Sequence, residues 1–107
     1  MTHKQVEKYL LSFPGAELDY PFGENTAVYK ANDKMFALVN EKSDPVRISL
    51  KCDPLLAETL RERYETVMPG YHLNKKHWNT IILTGQLSWD EIKDLIGLSY
   101  DLATGSR

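Results

Sequence analysis

The sequence has 107 residues, of which 42% are hydrophobic and 26% charged, and its formal net charge is -2. This length predicts one domain over residues 1–107, and the negative net charge excludes nucleic-acid binding driven by the whole molecule, so such binding would need a local basic patch. We expect a cytoplasmic protein without membrane contact, because the sequence has one cysteine, begins without the apolar core of a signal peptide and contains no apolar run of ~20 residues.

The first predicted element is a helix that begins at Thr2, because Gln5 lies three residues later and completes a capping box. The residues that follow at i, i+3, i+4 and i+7 form one apolar stripe: Val6, Tyr9, Leu10 and Phe13. Pro14-Gly15 is a turn signal that ends this helix.

Residues 16–51 are predicted to form three or four strands with short connections, as in an antiparallel meander. The runs 27–31 and 34–40 meet at Asn32-Asp33, residue types that tolerate positive φ in a hairpin. The clearest alternation spans 46–51 and divides its side chains between two faces. Val46, Ile48 and Leu50 are expected to face the core, and Arg47, Ser49 and Lys51 the opposite side.

Two more helices and a strand complete the predicted order. Asp53 and Pro54 indicate the start of a second helix, and Ser88 with Glu91 that of a third, which should end near Ala103 before Gly105. The second helix is expected to bury Leu56, Leu60 and Tyr64 and to expose Glu58, Arg61, Glu62 and Arg63. A strand is predicted over 80–84. The order α-β(3–4)-α-β(1–2)-α predicts a two-layer α+β domain whose helices cover one face of the sheet, with the other face open to water or a partner.

Residues 69–80 are rich in polar and aromatic side chains that the predicted helices and strands do not require. After a Pro-Gly turn they contain two His, two Lys, two Asn, one Tyr and one Trp. We take them as a candidate nucleic-acid surface in which lysines position phosphates and Trp78 or Tyr71 stacks on a base. The candidate residues are Lys30, Arg47, Lys51, Tyr71, His72, Asn74, Lys75, Lys76, His77 and Trp78. The opposing interpretation places the lysines in water and Trp78 in the core, and the mixed faces of the strand after Trp78 do not decide between them.

Other chemistry has weaker support in the sequence. His72 and His77 lie five residues apart without the spacing of a zinc site, so we expect no metal and no cofactor. Cys52 precedes a helix N-terminus, where a thiolate is stabilised, but no oxyanion-hole motif or ordered triad accompanies it. A small buried hydrophobe is the commoner role for such a cysteine, and we expect a non-enzymatic protein.

Four stretches resemble the MmcQ/YjbR family. They are Asp19-Tyr20-Pro21-Phe22-Gly23, Val28-Tyr29-Lys30 with Lys34-Met35-Phe36-Ala37, Ile48-Ser49-Leu50-Lys51-Cys52, and residues 69–80. The resemblance implies an α+β domain similar to secretion-chaperone folds, with a sheet compared to the double wing of a phage transcription factor, and it implies no catalytic residues. We hypothesise weak DNA binding through the basic and aromatic surface. The alternative is a protein- or small-ligand-interaction module, for example for a small anionic ligand, and the sequence does not indicate the oligomeric state.

Overall fold

The computed structural model describes residues 1–70 and 73–105, which form three helices and one six-stranded sheet. The helices are α1 (His3–Leu11), α2 (Pro54–Arg63) and α3 (Trp89–Thr104). The strands are β1 (Glu17–Asp19), β2 (Thr26–Ala31), β3 (Lys34–Asn40), β4 (Arg47–Lys51), β5 (Val67–Pro69) and β6 (Trp78–Ile82). This is the α+β fold that the sequence predicts. No helix within the described residues has the length and apolar character to cross a membrane.

The sheet has the order β1-β2-β3-β4-β6-β5, and every neighbouring pair is antiparallel. The first four strands form the predicted meander. The chain then leaves through α2 and returns as β5 at the outer edge and β6 beside β4. The register between β4 and β6 sets Lys51 opposite Trp78 and Arg47 opposite Ile82.

The helix ends follow their local signals. Thr2 with Gln5, and Ser88 with Glu91, form reciprocal capping boxes at the starts of α1 and α3. The side chain of Asp53 accepts two backbone N–H groups at the start of α2, and α3 ends in the left-handed conformation at Gly105, φ 71°. These four helix-end predictions are confirmed.

The connection between β2 and β3 is a two-residue turn. Asn32 and Asp33 both have positive φ, 53° and 61°, which suits a hairpin between twisted strands. One register shift follows in the ladder, because Tyr29 pairs with Ala37 whereas Lys30 pairs with Met35. The extra residue, Phe36, is fully buried.

The main core lies between the sheet and the helices. It contains Ile48 and Leu50 of β4, Ile81 of β6 and Ile92 and Ile96 of α3. A second cluster lies on the opposite face of the sheet and consists of Val28, Leu38 and Trp78, flanked by Met35 and Leu73. The second face, which we expected to be open to water or a partner, carries a small apolar cluster of its own.

Three details of the sequence interpretation need correction. Val46 is buried as expected but precedes β4, and the strand expected over 80–84 runs from Trp78 to Ile82. In α2 the fully buried residue is Ala57, whereas Leu56, Leu60 and Tyr64 are only partly covered. The smallest residue of the helix is thus the one most completely covered, which periodicity alone does not reveal.

Candidate nucleic-acid interface

The cationic residues of β4 lie on the sheet face opposite the helices. Ile48 and Leu50 are buried in the main core, and alternation sends the side chains of Arg47, Ser49 and Lys51 to the other side. Arg47 is exposed and Lys51 is half-buried. The hydroxyl of Ser49 hydrogen-bonds that of Thr80 on β6 at 2.8 Å, which joins the two strands between the cations.

Lys30 of β2 belongs to the same face, because it alternates with the buried Tyr29 and Ala31 of the helix side. One strand, β3, separates it from β4, so its backbone lies roughly 10 Å from that of β4. Its partner on β1 is Glu17, and this carboxylate is the nearest acidic neighbour in the ladder. Within residues 1–70 and 73–105, the one salt bridge is between Lys93 and Asp90 of α3, so Lys30 is not ion-paired there.

The turn before β6 carries two further lysines. The carbonyl of Asn74 accepts the N–H groups of His77 (3.2 Å) and Trp78 (3.0 Å), and its side-chain oxygen accepts the N–H of Lys76 (2.9 Å). These bonds close a tight turn and leave Lys75 and Lys76 exposed. The structure therefore gives Asn74 a turn-forming role. We call Lys30, Arg47, Lys51, Lys75 and Lys76 the basic face.

Arg61 of α2 holds this turn against the body of the protein. Its Nε donates to Oδ1 of Asn79 at 2.6 Å, and its Nη2 donates to the carbonyls of Trp78 (3.2 Å) and Lys75. Asn79 is buried and donates in turn to the carbonyl of Ala57 at 3.2 Å. The expectation that Arg61 belongs to a solvated charged face is wrong, since buried carbonyl and amide oxygens need donors and the guanidinium supplies them in a fixed fork.

Trp78 does not offer a stacking surface. Its side chain is only 7% exposed and packs with Val28 and Leu38. Gly70 lies against it: the N–H of Gly70 donates to the Trp78 carbonyl at 2.8 Å, and a Cβ on Gly70 would stand 2.8 Å from the Cβ of Trp78. Only glycine permits this approach. The expected stacking role of Trp78 is corrected accordingly, while Tyr71 and His72 lie outside the described residues.

Cys52 has the character of a buried hydrophobe. The residue is 6% exposed, and its N–H donates to the carbonyl of His77 at 2.7 Å. Burial raises the pKa of the Cys52 thiol, and the carboxylate of Asp53 raises it further against a smaller opposing effect of Arg61. The thiol is therefore protonated at neutral pH. His77 itself is half-buried, and the described residues contain no cluster of three or more His, Cys, Asp or Glu suited to a metal ion.

Sequence reasoning missed two residues that shape this site, Arg61 and Gly70. For Gly70 the Pro-Gly dipeptide signalled a turn, although the reason for the glycine is its contact with Trp78. For Arg61 the sequence offers no signal, because its acceptors lie 14 to 18 residues away in the chain.

Comparison with known proteins places this arrangement in a family. The family model described as YjbR matches residues 11–102. The uncharacterized protein YjbR of Escherichia coli K12 is 38% identical over 103 residues, which cover 96% of this chain and 87% of that protein. The crystal structure of Deinococcus radiodurans DR2400, a DUF419 domain, superposes with a TM-score of 0.92 at 36% identity and covers 96% of this chain and 78% of that one. A crystal structure from Pseudomonas syringae gives a TM-score of 0.83 at 33% identity, with 96% and 99% covered. The chain belongs to the YjbR family.

Proposed function

We propose that the basic face binds the phosphate backbone of nucleic acids weakly and without preference for base sequence. The observation that carries the proposal is the position of Arg47 and Lys51 on one exposed side of β4, next to the turn that presents Lys75 and Lys76. Within the described residues none of these cations forms a salt bridge with a carboxylate. Their charges are thus available to phosphate oxygens.

The expected affinity is low for two physical reasons. The molecule as a whole carries a net charge of -2, which repels a polyanion at long range. About five cations can neutralise only a few phosphates, so binding should weaken steeply as salt is added. The burial of Trp78 removes the indole as a base-stacking platform, and we therefore expect no strong preference for single strands.

Charge reversal at the turn tests the proposal. The double variant Lys75→Glu with Lys76→Glu should weaken binding to unrelated duplexes by about tenfold or more at low ionic strength, and uniformly across sequences. A matched control is Lys4→Glu with Lys8→Glu, which makes the same change in net charge on the exposed side of α1. Fluorescence anisotropy of labelled duplexes measures both. Equal losses in the two double variants would contradict a localised site.

We further propose that the domain acts without catalysis and resides in the cytoplasm. The buried thiol of Cys52, whose pKa is raised by burial, supports the first point, and a sequence with one cysteine, which has no internal disulfide to form, fits a reducing compartment. The alternative function, a protein- or small-ligand-interaction module on the same face, requires that DNA produce no response. In that case a molecule that co-purifies with the protein should be visible by native mass spectrometry.

A further inference from the structure

The loop between β1 and β2 exposes aromatic side chains at the edge of the sheet. Phe22 is 64% exposed and Tyr20 is 42% exposed. The loop is held by its own hydrogen bonds: Oδ1 of Asp19 accepts the N–H of Tyr20 (2.8 Å), and the N–H of Gly23 donates to the Tyr20 carbonyl (3.2 Å). These rings are therefore presented on an ordered turn, which lowers the entropic cost of binding a partner.

Two carboxylates from other elements reach the same place. Tyr20 donates its hydroxyl hydrogen to Oε1 of Glu41, in the loop after β3, at 3.2 Å. His3, in the first turn of α1, hydrogen-bonds the carbonyl of Ser43 in that same loop at 2.8 Å. Glu7 lies four residues after His3 and so shares its face of α1. The helix thus directs Glu7 toward the loop that carries Glu41.

A buried tyrosine lies beside this cluster. Tyr29 of β2 is 1% exposed, and the sheet register sets it opposite Leu18 of β1, two residues before Tyr20. It packs in the main core with Val6 and Leu10 of α1, on the sheet face where Glu7 lies. Burial raises the pKa of Tyr29, and the negative charges of Glu7 and Glu41 raise it further. A phenol oxygen and carboxylates all accept hydrogen bonds, so together they suit a ligand that carries several donors.

We propose that Glu7, Tyr20, Phe22, Tyr29 and Glu41 form a second binding site, which takes an arginine side chain on an extended segment of a partner protein. A guanidinium carries several donors in one plane and stacks on aromatic rings, so it matches carboxylate, phenol and exposed ring together. Glu24 of the same loop is exposed as well and adds a further negative charge. The described residues offer no three-carboxylate cluster of the kind a divalent metal would prefer.

This site is separate from the cations of β4, because its residues belong to α1, β2 and the loops after β1 and β3, whereas Arg47 and Lys51 face away from the helices. Phosphate would be repelled by the same carboxylates that attract a guanidinium. The two surfaces can therefore be tested separately in the same protein.

The probe is an acetylated and amidated pentapeptide with a central arginine flanked by valines, titrated at low ionic strength and followed by NMR of the backbone amides. The matched peptide replaces arginine by citrulline, which keeps the shape and removes the charge. We expect the arginine peptide to shift amides of residues 17–30 and 41, and to bind about tenfold more tightly than the citrulline peptide.

Variants locate the site. Glu7→Gln with Glu41→Gln should reduce arginine-peptide affinity about tenfold, and Phe22→Ala should reduce it by a smaller factor. The control Glu58→Gln with Glu62→Gln on α2 removes the same charge from exposed positions elsewhere and should leave peptide affinity unchanged. DNA binding should not fall in the Glu7, Glu41 or Phe22 variants.

Each of the following results would overturn the proposal. They are equal affinity for the arginine and citrulline peptides, an equal loss of affinity in the Glu58 and Glu62 control, and peptide-induced shifts confined to the basic face. Concentration-dependent dimerisation that disappears in Glu7→Gln with Glu41→Gln would also overturn it, since the occupant would then be a second copy of the chain. Failure of DNA binding alone would leave this proposal standing.

Discussion

At the scale of single residues, the side chain of Ser99 links the backbones of β3 and β4 where their pairing ends. The pairing of β3 with β4 ends at Ala37 and Leu50. Beyond that point the fully buried hydroxyl of Ser99 accepts the N–H of Lys51 at 2.8 Å and donates to the carbonyl of Phe36 at 2.5 Å. One side chain from α3 therefore satisfies a donor and an acceptor where two strands diverge.

We expect Ser99→Ala to lower the free energy of unfolding by roughly 2–4 kcal/mol, because both backbone groups would remain buried without partners. This loss would occur even though alanine is the better helix former. Urea denaturation measures it against Ser12→Ala, whose exposed hydroxyl bonds the Tyr9 carbonyl and should cost less than about 1 kcal/mol. Similar values for the two variants would contradict the bridging role.

The raised pKa of Tyr29 should make the free energy of unfolding fall at alkaline pH. Its pKa lies above the ordinary value because of burial and the charges of Glu7, Glu41 and Tyr20. Above about pH 10 the unfolded chain loses the phenolic proton while the folded chain keeps it, so the unfolded state binds fewer protons and stability falls as pH rises. Tyr29→Phe should leave stability at neutral pH nearly unchanged, since it keeps the buried ring in the main core.

The measurement for Tyr29 is denaturant unfolding of wild type and Tyr29→Phe at a series of pH values across the phenol range. We expect the variant to lose less stability than the wild type between neutral and strongly alkaline pH. Parallel curves for the two proteins would show that the phenol contributes nothing to the alkaline decline.

At the scale of elements, α2 and the turn before β6 act as a unit. Arg61 binds the carbonyls of Lys75 and Trp78 and the side chain of Asn79, so it fixes the turn that presents Lys75 and Lys76. Arg61→Lys keeps the charge but loses the planar fork of donors. We expect it to cost roughly 1–3 kcal/mol of unfolding free energy and to weaken DNA binding several-fold by loosening the turn.

The control for Arg61 is Arg63→Lys on the same helix. Arg63 lies with its guanidinium carbon 5.7 Å from the Tyr64 ring centroid and is exposed. This substitution also keeps the net charge, and it should change stability by less than about 1 kcal/mol. If both variants retain full stability and DNA affinity, the turn does not depend on Arg61.

The elements themselves could be predicted from the sequence because their signals are local. Capping residues, the Asn32-Asp33 turn and the alternation of β4 each depend on neighbours within a few positions. The site could be predicted only in part. The facing of Arg47 and Lys51 followed from alternation, but the burial of Trp78 depends on Val28 and Leu38 from distant strands, and both faces of β6 are mixed in polarity. Contacts between residues that are distant in the sequence do not produce a periodic pattern of side chains.

At the scale of the whole molecule, the charge is divided between two sides. Arg47 and Lys51 face away from the helices and Lys75 and Lys76 are exposed in the turn before β6, while Glu7 belongs to α1 and Glu41 hydrogen-bonds Tyr20 after β1. A net charge of -2 conceals this separation. The two proposed sites would then take ligands of opposite charge.

The central claim is that the basic face binds phosphates, and the salt dependence of duplex binding tests it most directly. Anisotropy titrations at several salt concentrations give the slope of log Kobs against log salt. With about three to five phosphates contacted, we expect a slope of about -2.7 to -4.5, which charge reversal of Lys75 and Lys76 should reduce by about two. A slope near zero, or no detectable binding at the lowest ionic strength, would contradict the account.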